Sequence, residues 1–285
     1  MYFPSNFDMV RAIDLARLVA QAYEQLDAFQ KGVSWIPKNG YVLVKELVQE
    51  PTAGGPRKSH TQFDTELRLL RKSRFSKGDN FPIGFVARKE NSVYVIFRGT
   101  VTIAEWVRNL NVRLSSYLKA DYGKVHEGFL ETYGAVRKRL LEVLTRLDSR
   151  CRLFVAGHSL GAALATLAVP DIATSTTFRA PTIYTYGSPR VGDNLFCKSF
   201  DRMFAGKSFR IANTSDMIVS LPFPVPLFGI IGGYFSHVAT PVDFTVQEET
   251  LEKNHVIGIY LSALLAAEKE KGILRKVFGW RSPRG

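Results

Sequence analysis

A serine, a carboxylate and an imidazole that lie far apart along the chain could together carry out nucleophilic catalysis. Ser159 stands at the centre of the segment Gly157-His158-Ser159-Leu160-Gly161. A serine hydroxyl alone is a weak nucleophile, so an imidazole must take its proton and a carboxylate must orient that imidazole. Where a Gly-x-Ser-x-Gly turn carries the nucleophile, the acid follows the serine and the histidine comes last. The carboxylates and histidines after Ser159 are therefore the candidates.

The local context of Ser159 favours a nucleophile elbow, which is a sharp turn between a strand and a helix. The apolar run 153–156 predicts the strand, and an alanine-rich segment predicts a helix from Leu160 to about Val169. The flanking glycines keep side chains away from the adjacent strand and helix. The helix N-terminus, with the backbone N–H of Leu160, is predicted to stabilise an oxyanion beside Ser159. The alternative is a serine that only caps a core helix.

Asp216 is the candidate acid because it stands just beyond a predicted strand at 209–212. Asp171, Asp193 and Asp201 also follow the serine and compete with it. Asp193 is more typical of a turn residue. For Asp216 itself, the alternative interpretation is a solvated loop carboxylate.

Two histidines follow the candidate acid. His255 is predicted to stand on a loop just before an apolar helix, and a loop can reach back over the end of a sheet. His237 lies in 234–240, which predicts a strand, so its imidazole would be structural. We favour His255 as the catalytic base. His126 and His158 both precede the serine, and we predict structural roles for them.

Strands alternate with helices along most of the chain, which predicts an α/β fold with a mostly parallel central sheet flanked by helices. A predicted helix at 7–26 carries an apolar stripe that includes Val10 and Tyr23, with Ser5 or Asn6 available as its N-cap. Further predicted helices include 128–147 and 160–169, and further predicted strands include 41–48, 83–87, 93–97, 153–156, 182–186 and 209–212. We interpret the 285 residues as one domain.

The composition excludes several classes of protein. With 46% hydrophobic and 22% charged residues, the chain is neither disordered nor collagen-like. Its net charge of +12 favours acidic partners, but no nucleic-acid motif is present, so we expect no nucleic acid. Cys151 and Cys197 lack metal-ligand spacing, and we expect neither a metal nor an organic cofactor. No signal peptide or membrane span is visible, which predicts a soluble protein without fixing its location.

Five segments of the chain resemble the class 3 lipases, the filamentous-fungal type of α/β-hydrolase. They occur in the family's order within about residues 80–265, and they are VIFRGT (95–100), VHEGF (125–129), GHSLGAALA (157–165), YGSPRVG (186–192) and NTSDMIV (213–219). The resemblance implies an α/β-hydrolase fold and a serine ester hydrolase that acts on acylglycerols through an acyl-enzyme. Phospholipase A1 and feruloyl esterase activities occur on the same fold, and a catalytically silent lipid-binding protein is the alternative outside the enzymes.

The resemblance also implies roles for particular residues. Asp216 matches the family's triad acid. The family's catalytic histidine precedes a helix and is followed five residues later by an aromatic residue, which matches His255 and Tyr260. The second oxyanion donor, beside Leu160, would be Thr100 through its backbone N–H. Ser159, Asp216 and His255 are therefore the predicted catalytic residues.

An apolar helix face directly follows the predicted oxyanion residue. Ile103, Trp106, Val107 and Leu110 are spaced to share one face of a short helix. Their periodicity alone favours an ordinary packed surface helix. In the resembling lipases this position holds a lid that opens at a lipid interface, so the resemblance implies a lid and interfacial activation.

Two further segments suggest contacts with lipid. The tract 221–231 is too apolar for an exposed loop and is predicted to line the acyl-binding cleft, with plain core as the alternative. Its predicted lining residues are Leu221, Phe223, Val225, Leu227 and Phe228. The C-terminal tail alternates basic and apolar residues, which predicts a reversible anchor on anionic lipid or else a solvated end. Its basic residues are Lys271, Arg275, Lys276, Arg281 and Arg284.

Overall fold

A seven-stranded sheet organises the chain in this computed structural model, which describes residues 3–49, 81–100, 113–222 and 234–278, with side chains as far as 272. The strands are β1 (Val42–Gln49), β2 (Phe81–Lys89), β3 (Ser92–Phe97), β6 (Arg152–His158), β7 (Thr182–Tyr186), β8 (Ser208–Asn213) and β9 (Thr240–Phe244), in that spatial order. A separate two-stranded sheet joins β4 (Leu114–Ser116) to β5 (Lys124–His126). From β3 to β9 all neighbours are parallel, whereas β1, β2 and β3 pair antiparallel. The predicted mostly parallel sheet is confirmed.

Helices cover both faces of this sheet. They are α1 (Met9–Gln30), α2 (Glu127–Thr145), α3 (Leu160–Ser175), α4 (Asn194–Phe204), α5 (Leu251–His255) and α6 (Ile257–Phe278), together with a 3-10 turn at Met217–Ser220. Successive strand residues serve opposite layers: Val155 belongs to the hydrophobic cluster of α2, α3 and α4, and Ala156 to the cluster of α1 and α6. Strands buried on both faces explain the continuous apolar runs in the sequence.

The boundaries of α1 and α3 differ from the sequence predictions. Helix α1 begins at Met9, because the Asp8 side chain accepts a hydrogen bond from the N–H of Arg11 and caps the helix in place of Ser5 or Asn6. Val10 lies on the solvent side of α1 and is 65% exposed, so it is outside the apolar stripe. Helix α3 continues through Pro170 to Ser175, since its burial between α2 and the sheet outweighs the one missing backbone hydrogen bond.

The segment around His237 is not a strand. Ser236 makes only an isolated bridge with Gly192, and β9 begins at Thr240. The apolar residues Phe235 and Val238, which contributed to the predicted strand pattern, are instead buried residues of an irregular segment. In the described ranges, we find no helix with the length and apolarity that crossing a membrane requires.

Candidate active site

Ser159 occupies a strained turn between β6 and α3. Its backbone has φ 58° and ψ −125°, a conformation that L-residues rarely adopt. The N–H of Ser159 donates to the carbonyl of Tyr186 at 3.0 Å, which fixes the turn to the adjacent strand β7. A Cβ atom at Gly157 would lie 2.1 Å from the carbonyl oxygen of Gly161, so this turn has no room for a larger residue. The sequence around Ser159 therefore folds as the predicted elbow.

Asp216 and His255 form a hydrogen-bonded pair in the interior. Asp216 caps the 3-10 turn after β8, with its Oδ1 accepting from the N–H of Ile218 at 2.9 Å. Its Oδ2 lies 2.5 Å from Nδ1 of His255 and also accepts from the hydroxyl of Tyr260 at 2.5 Å. Both side chains of the pair are fully buried. The carboxylate is therefore held by three donors, one of which is the imidazole.

The other aspartates considered from the sequence lie in different environments. Asp171 accepts from Tyr133 and from both forks of Arg137, Asp193 caps α4, and Asp201 accepts from the N–H of Ala239. The structure thus brings Asp216, among the four candidates, to the histidine.

His255 ends the short helix α5 and is not on a loop, because the Thr250 side chain caps a helical turn that starts at Leu251. Its Nε2 is buried and has no hydrogen-bond partner in the described part of the chain, while Nδ1 is engaged by the carboxylate. The His255 ring lies against the ring of His158, with the centroids 4.6 Å apart. Since His158 directly precedes Ser159, this contact brings the His255 ring close to the elbow.

His237 is bound elsewhere. Its Nε2 lies 2.8 Å from the carbonyl oxygen of Val219. Burial, together with the cations of Arg210 and Arg190, lowers the pKa of His237 to about 3. His237 is therefore a neutral structural imidazole, as the sequence predicted, although it is not in a strand.

The two predicted oxyanion donors lie on neighbouring segments. Leu160 is the first residue of α3, and Thr100 follows the end of β3; both are buried. A Cβ atom at Gly161 would lie 2.4 Å from the carbonyl oxygen of Arg98, so the start of α3 packs directly on the segment that leads to Thr100. The Arg98 side chain holds that segment through two hydrogen bonds. Its Nε donates to the carbonyl of Pro82 at 2.9 Å, and its Nη1 donates to the carbonyl of Gly99 at 2.6 Å.

Sequence reasoning missed several residues that build this site. Asn213 donates to the carbonyl of Asn254 at 3.1 Å, which fixes α5 beside the end of β8. Asn213 lies within the segment that resembles the lipase family, and that position is the sequence signal that marks it. Tyr23, on α1, contacts the elbow through His158, and no motif marked it. Among the described residues, no group of three or more His, Cys, Asp or Glu is arranged to hold a metal ion.

Several predicted residues lie outside the described residues. They are the lid residues Ile103, Trp106, Val107 and Leu110, the tract residues Phe223, Val225, Leu227 and Phe228, and the tail residues Arg281 and Arg284. Leu221 is described; it is buried in the hydrophobic cluster of α2, α3 and α4. The Lys271 ammonium lies 3.8 Å from the ring centroid of Phe3.

A mostly parallel sheet with helices on both faces, a serine at a strand-to-helix elbow and an Asp–His pair after a later strand together define an α/β-hydrolase. The family model described as lipase (class 3) matches residues 94–225. This match confirms the resemblance to the class 3 lipase family that was seen in the sequence.

Individual relatives agree with this assignment. The chain is 33% identical over 214 residues to the chloroplastic phospholipase A(1) DAD1 of Arabidopsis thaliana, covering 66% of this chain and 46% of that protein. It is 35% identical over 146 residues to a lipase of Rhizomucor miehei, covering 47% and 38%. The crystal structure of a lipase from Rhizopus microsporus var. chinensis shares the fold, with a TM-score of 0.61 at 24% identity over 84% of this chain and 75% of that one. The chain spans about half the length, or less, of the curated relatives it matches.

Proposed function

We propose that this chain is a single-domain serine hydrolase that cleaves the carboxylic esters of acylglycerols through an acyl-enzyme on Ser159. The observation that supports the proposal is the buried pair of Asp216 and His255, in which Nε2 of the imidazole is unengaged among the described residues and the ring packs against His158, the residue before Ser159. An oriented imidazole with one unengaged nitrogen is what a serine nucleophile requires.

The proposed reaction has two halves. Nε2 of His255 takes the proton of the Ser159 hydroxyl as its oxygen attacks the ester carbonyl carbon, and the backbone N–H groups of Leu160 and Thr100 bind the oxyanion. The intermediate collapses, the ester C–O bond breaks, and the departing alcohol takes the proton from His255. Water then attacks the acyl-enzyme by the same steps and releases the fatty acid. Asp216 keeps the imidazole oriented and stabilises its protonated form.

Acylglycerols are the proposed substrate class because several relatives are named as lipases or acylglycerol lipases. They include the Rhizomucor miehei lipase and a secreted mono- and diacylglycerol lipase of Fusarium solani, to which the chain is 34% identical over 176 residues. Phospholipids are the second candidate, since the Arabidopsis thaliana relative is named a phospholipase A(1) and the net charge of +12 favours anionic lipid.

Contact with a lipid surface is part of the proposal. We assign lid residues at 103–110, acyl contacts at 223–228 and a basic tail from Lys271 that rests on anionic headgroups. If the lid opens at an interface, turnover of a short-chain ester will rise steeply as its concentration passes the solubility limit. A hyperbolic curve through that limit would remove interfacial activation from the proposal.

The central test compares Ser159→Ala with Ser208→Ala. Ser208 is equally buried but is the first residue of β8, so it lies at the opposite end of the parallel strands from Ser159, and its hydroxyl donates to the carbonyl of Phe204. We expect Ser159→Ala to abolish hydrolysis of p-nitrophenyl esters and labelling by a fluorophosphonate, with the thermal transition retained. We expect Ser208→Ala to retain both activities. Turnover or labelling by Ser159→Ala at the wild-type rate would refute the mechanism.

A substrate panel separates the two lipid classes. Triacylglycerol emulsions and phosphatidylcholine or phosphatidylglycerol vesicles, each with graded acyl chains, are compared by release of fatty acid. Faster release from phospholipid at the sn-1 position would replace the lipase assignment by phospholipase A1. Fluorophosphonate labelling without release from any ester would exclude acylglycerols as substrates.

A further inference from the structure

A chain of hydrogen bonds links the segment that precedes Thr100 to the backbone of His255, and it passes through helix α1. The N–H of Gly99 lies 2.9 Å from the hydroxyl oxygen of Tyr23, and that hydroxyl lies 2.7 Å from Nδ1 of His158. Nε2 of His158 lies 2.6 Å from the carbonyl oxygen of His255. The linked groups are separated along the chain by 76, 135 and 97 residues.

The donor and acceptor of each hydrogen bond in this series follow from the chemical groups at the two ends of the series. A carbonyl oxygen only accepts, so Nε2 of His158 carries a proton and donates to His255. Burial lowers the pKa of His158 well below its ordinary value, and the neighbouring His255 lowers it further, so the ring is neutral and Nδ1 accepts. The Tyr23 hydroxyl therefore donates to Nδ1 and accepts from the N–H of Gly99. Hydrogen bonds that run in one direction strengthen each other.

The packing around Gly99 makes its position sensitive to Tyr23. A Cβ atom at Gly99 would lie 2.4 Å from the Tyr23 hydroxyl oxygen and 2.7 Å from Cβ of Ser159. Gly99 is thus held between the hydroxyl of Tyr23 and the nucleophile, one residue before Thr100. Catalysis depends on placing reacting groups within about 0.5 Å, so a small shift of this segment would displace an oxyanion donor.

We propose that Tyr23 and His158 are positioning residues that fix the oxyanion segment relative to the catalytic histidine. The inference rests on the proposed function, because it states that Tyr23 and His158 together hold Thr100 in place relative to Ser159 and His255. Tyr23 lies on α1, outside residues 94–225 that match the family model, so the site is completed from beyond the matched region.

Tyr23→Phe is the decisive variant, with Tyr117→Phe as its matched control. Tyr117 is a buried tyrosine whose hydroxyl donates to a backbone carbonyl, that of Leu167, at 2.7 Å, away from the site. We expect Tyr23→Phe to lower kcat for p-nitrophenyl butyrate by about tenfold or more, below the 10²–10³-fold loss seen when an oxyanion donor itself is removed. KM should stay within about twofold, because ground-state binding is not changed. Tyr117→Phe should keep the wild-type kcat at a similar cost in Tm.

A double-mutant cycle with His158→Gln tests whether the residues act as a unit. Glutamine retains a donor for the His255 carbonyl, which favours folding, but it does not offer the Nδ1 acceptor. If the two residues share one chain, the double variant will lose no more activity than the more impaired single variant. Additive losses in kcat, or a Tyr23→Phe enzyme as active as Tyr117→Phe, would overturn the inference.

Hydrogen exchange separates this inference from the proposed function. The amide of Gly99 should exchange faster in Tyr23→Phe than in the wild type and Tyr117→Phe, whether or not the chain turns over esters. Unchanged exchange would show that Tyr23 does not hold Gly99 and would overturn the inference. An inactive wild type with unlabelled Ser159 would instead refute the proposed function.

Discussion

Replacing Tyr260 by phenylalanine tests how much the carboxylate of the site depends on its second side-chain donor. The Tyr260 hydroxyl donates to Oδ2 of Asp216 at 2.5 Å, on the same oxygen that contacts His255. Burial raises the pKa of Tyr260 well above its ordinary value, and the charge of Asp216 raises it further, so the hydroxyl remains a donor at every pH used in an esterase assay.

The magnitude follows from the kind of hydrogen bond that is lost. A hydrogen bond to a buried charged group contributes about 1.5–3 kcal/mol, and the Asp216 carboxylate keeps only the Ile218 N–H and His255 in the variant. Each 1.36 kcal/mol in the activation free energy changes the rate tenfold. If the loss falls on the orientation of His255, kcat/KM should decrease by about 10- to 100-fold.

The fold provides a matched control. Tyr133 is also fully buried and donates at 2.7 Å to a buried carboxylate, Asp171, away from the site. Urea denaturation should show a similar loss of stability in Tyr133→Phe and Tyr260→Phe. Hydrolysis of a soluble ester should decrease only in Tyr260→Phe. Equal activity in the two variants would refute the idea that Tyr260 supports the imidazole through the carboxylate.

Two further predictions concern groups outside the site. Arg137→Ala removes the bidentate partner of Asp171 and should lower the free energy of unfolding by about 1–3 kcal/mol, with kcat unchanged. This loss is smaller than that expected for a fully buried ion pair, because the Arg137 side chain is 38% exposed. An unaltered midpoint of urea denaturation would contradict the prediction. His237 has a depressed pKa, so only the unfolded chain binds its proton below about pH 6.5, and this group makes stability fall with decreasing pH by up to about 1.4 kcal/mol per pH unit. The stability difference between wild type and His237→Gln, measured by urea denaturation, should therefore shift in favour of the variant from pH 7 to pH 5, and a constant difference would refute the assignment.

The order of the elements and the identity of the site's main residues could be predicted because they depend on local patterns. Apolar runs mark β3 and β6, since strands buried on both faces need no alternation. The Gly-x-Ser-x-Gly segment marks the elbow, because only small residues fit beside Ser159. The preference for His255 over His237 led to the residue that contacts Asp216, although neither the predicted loop nor the predicted strand is present.

Side-chain partners across the fold could not be predicted. The helical periodicity of α1 identified Tyr23 only as one of its apolar positions. Such a pattern shows which positions share the buried face of a helix, but it does not show the partner of a side-chain hydroxyl. Whether the hydroxyl of that ring reaches His158 and Gly99 depends on how α1 lies across the sheet. The same holds for Asn213 and Asn254, whose amide contacts join segments 41 residues apart.

The strand order explains why a glycine must follow β7. Ser159 follows β6 and Asp216 follows β8, so one whole strand, β7, lies between the nucleophile and the acid. Parallel strands are about 4.8 Å apart, so the imidazole must cross about 10 Å over the end of β7. Gly187, the first residue after β7, has φ +56°, and a Cβ atom there would lie 3.0 Å from Cε1 of His255 and 3.2 Å from Oδ2 of Asp216. A residue without a side chain at this place therefore leaves the space in which the histidine bridges the two strand ends.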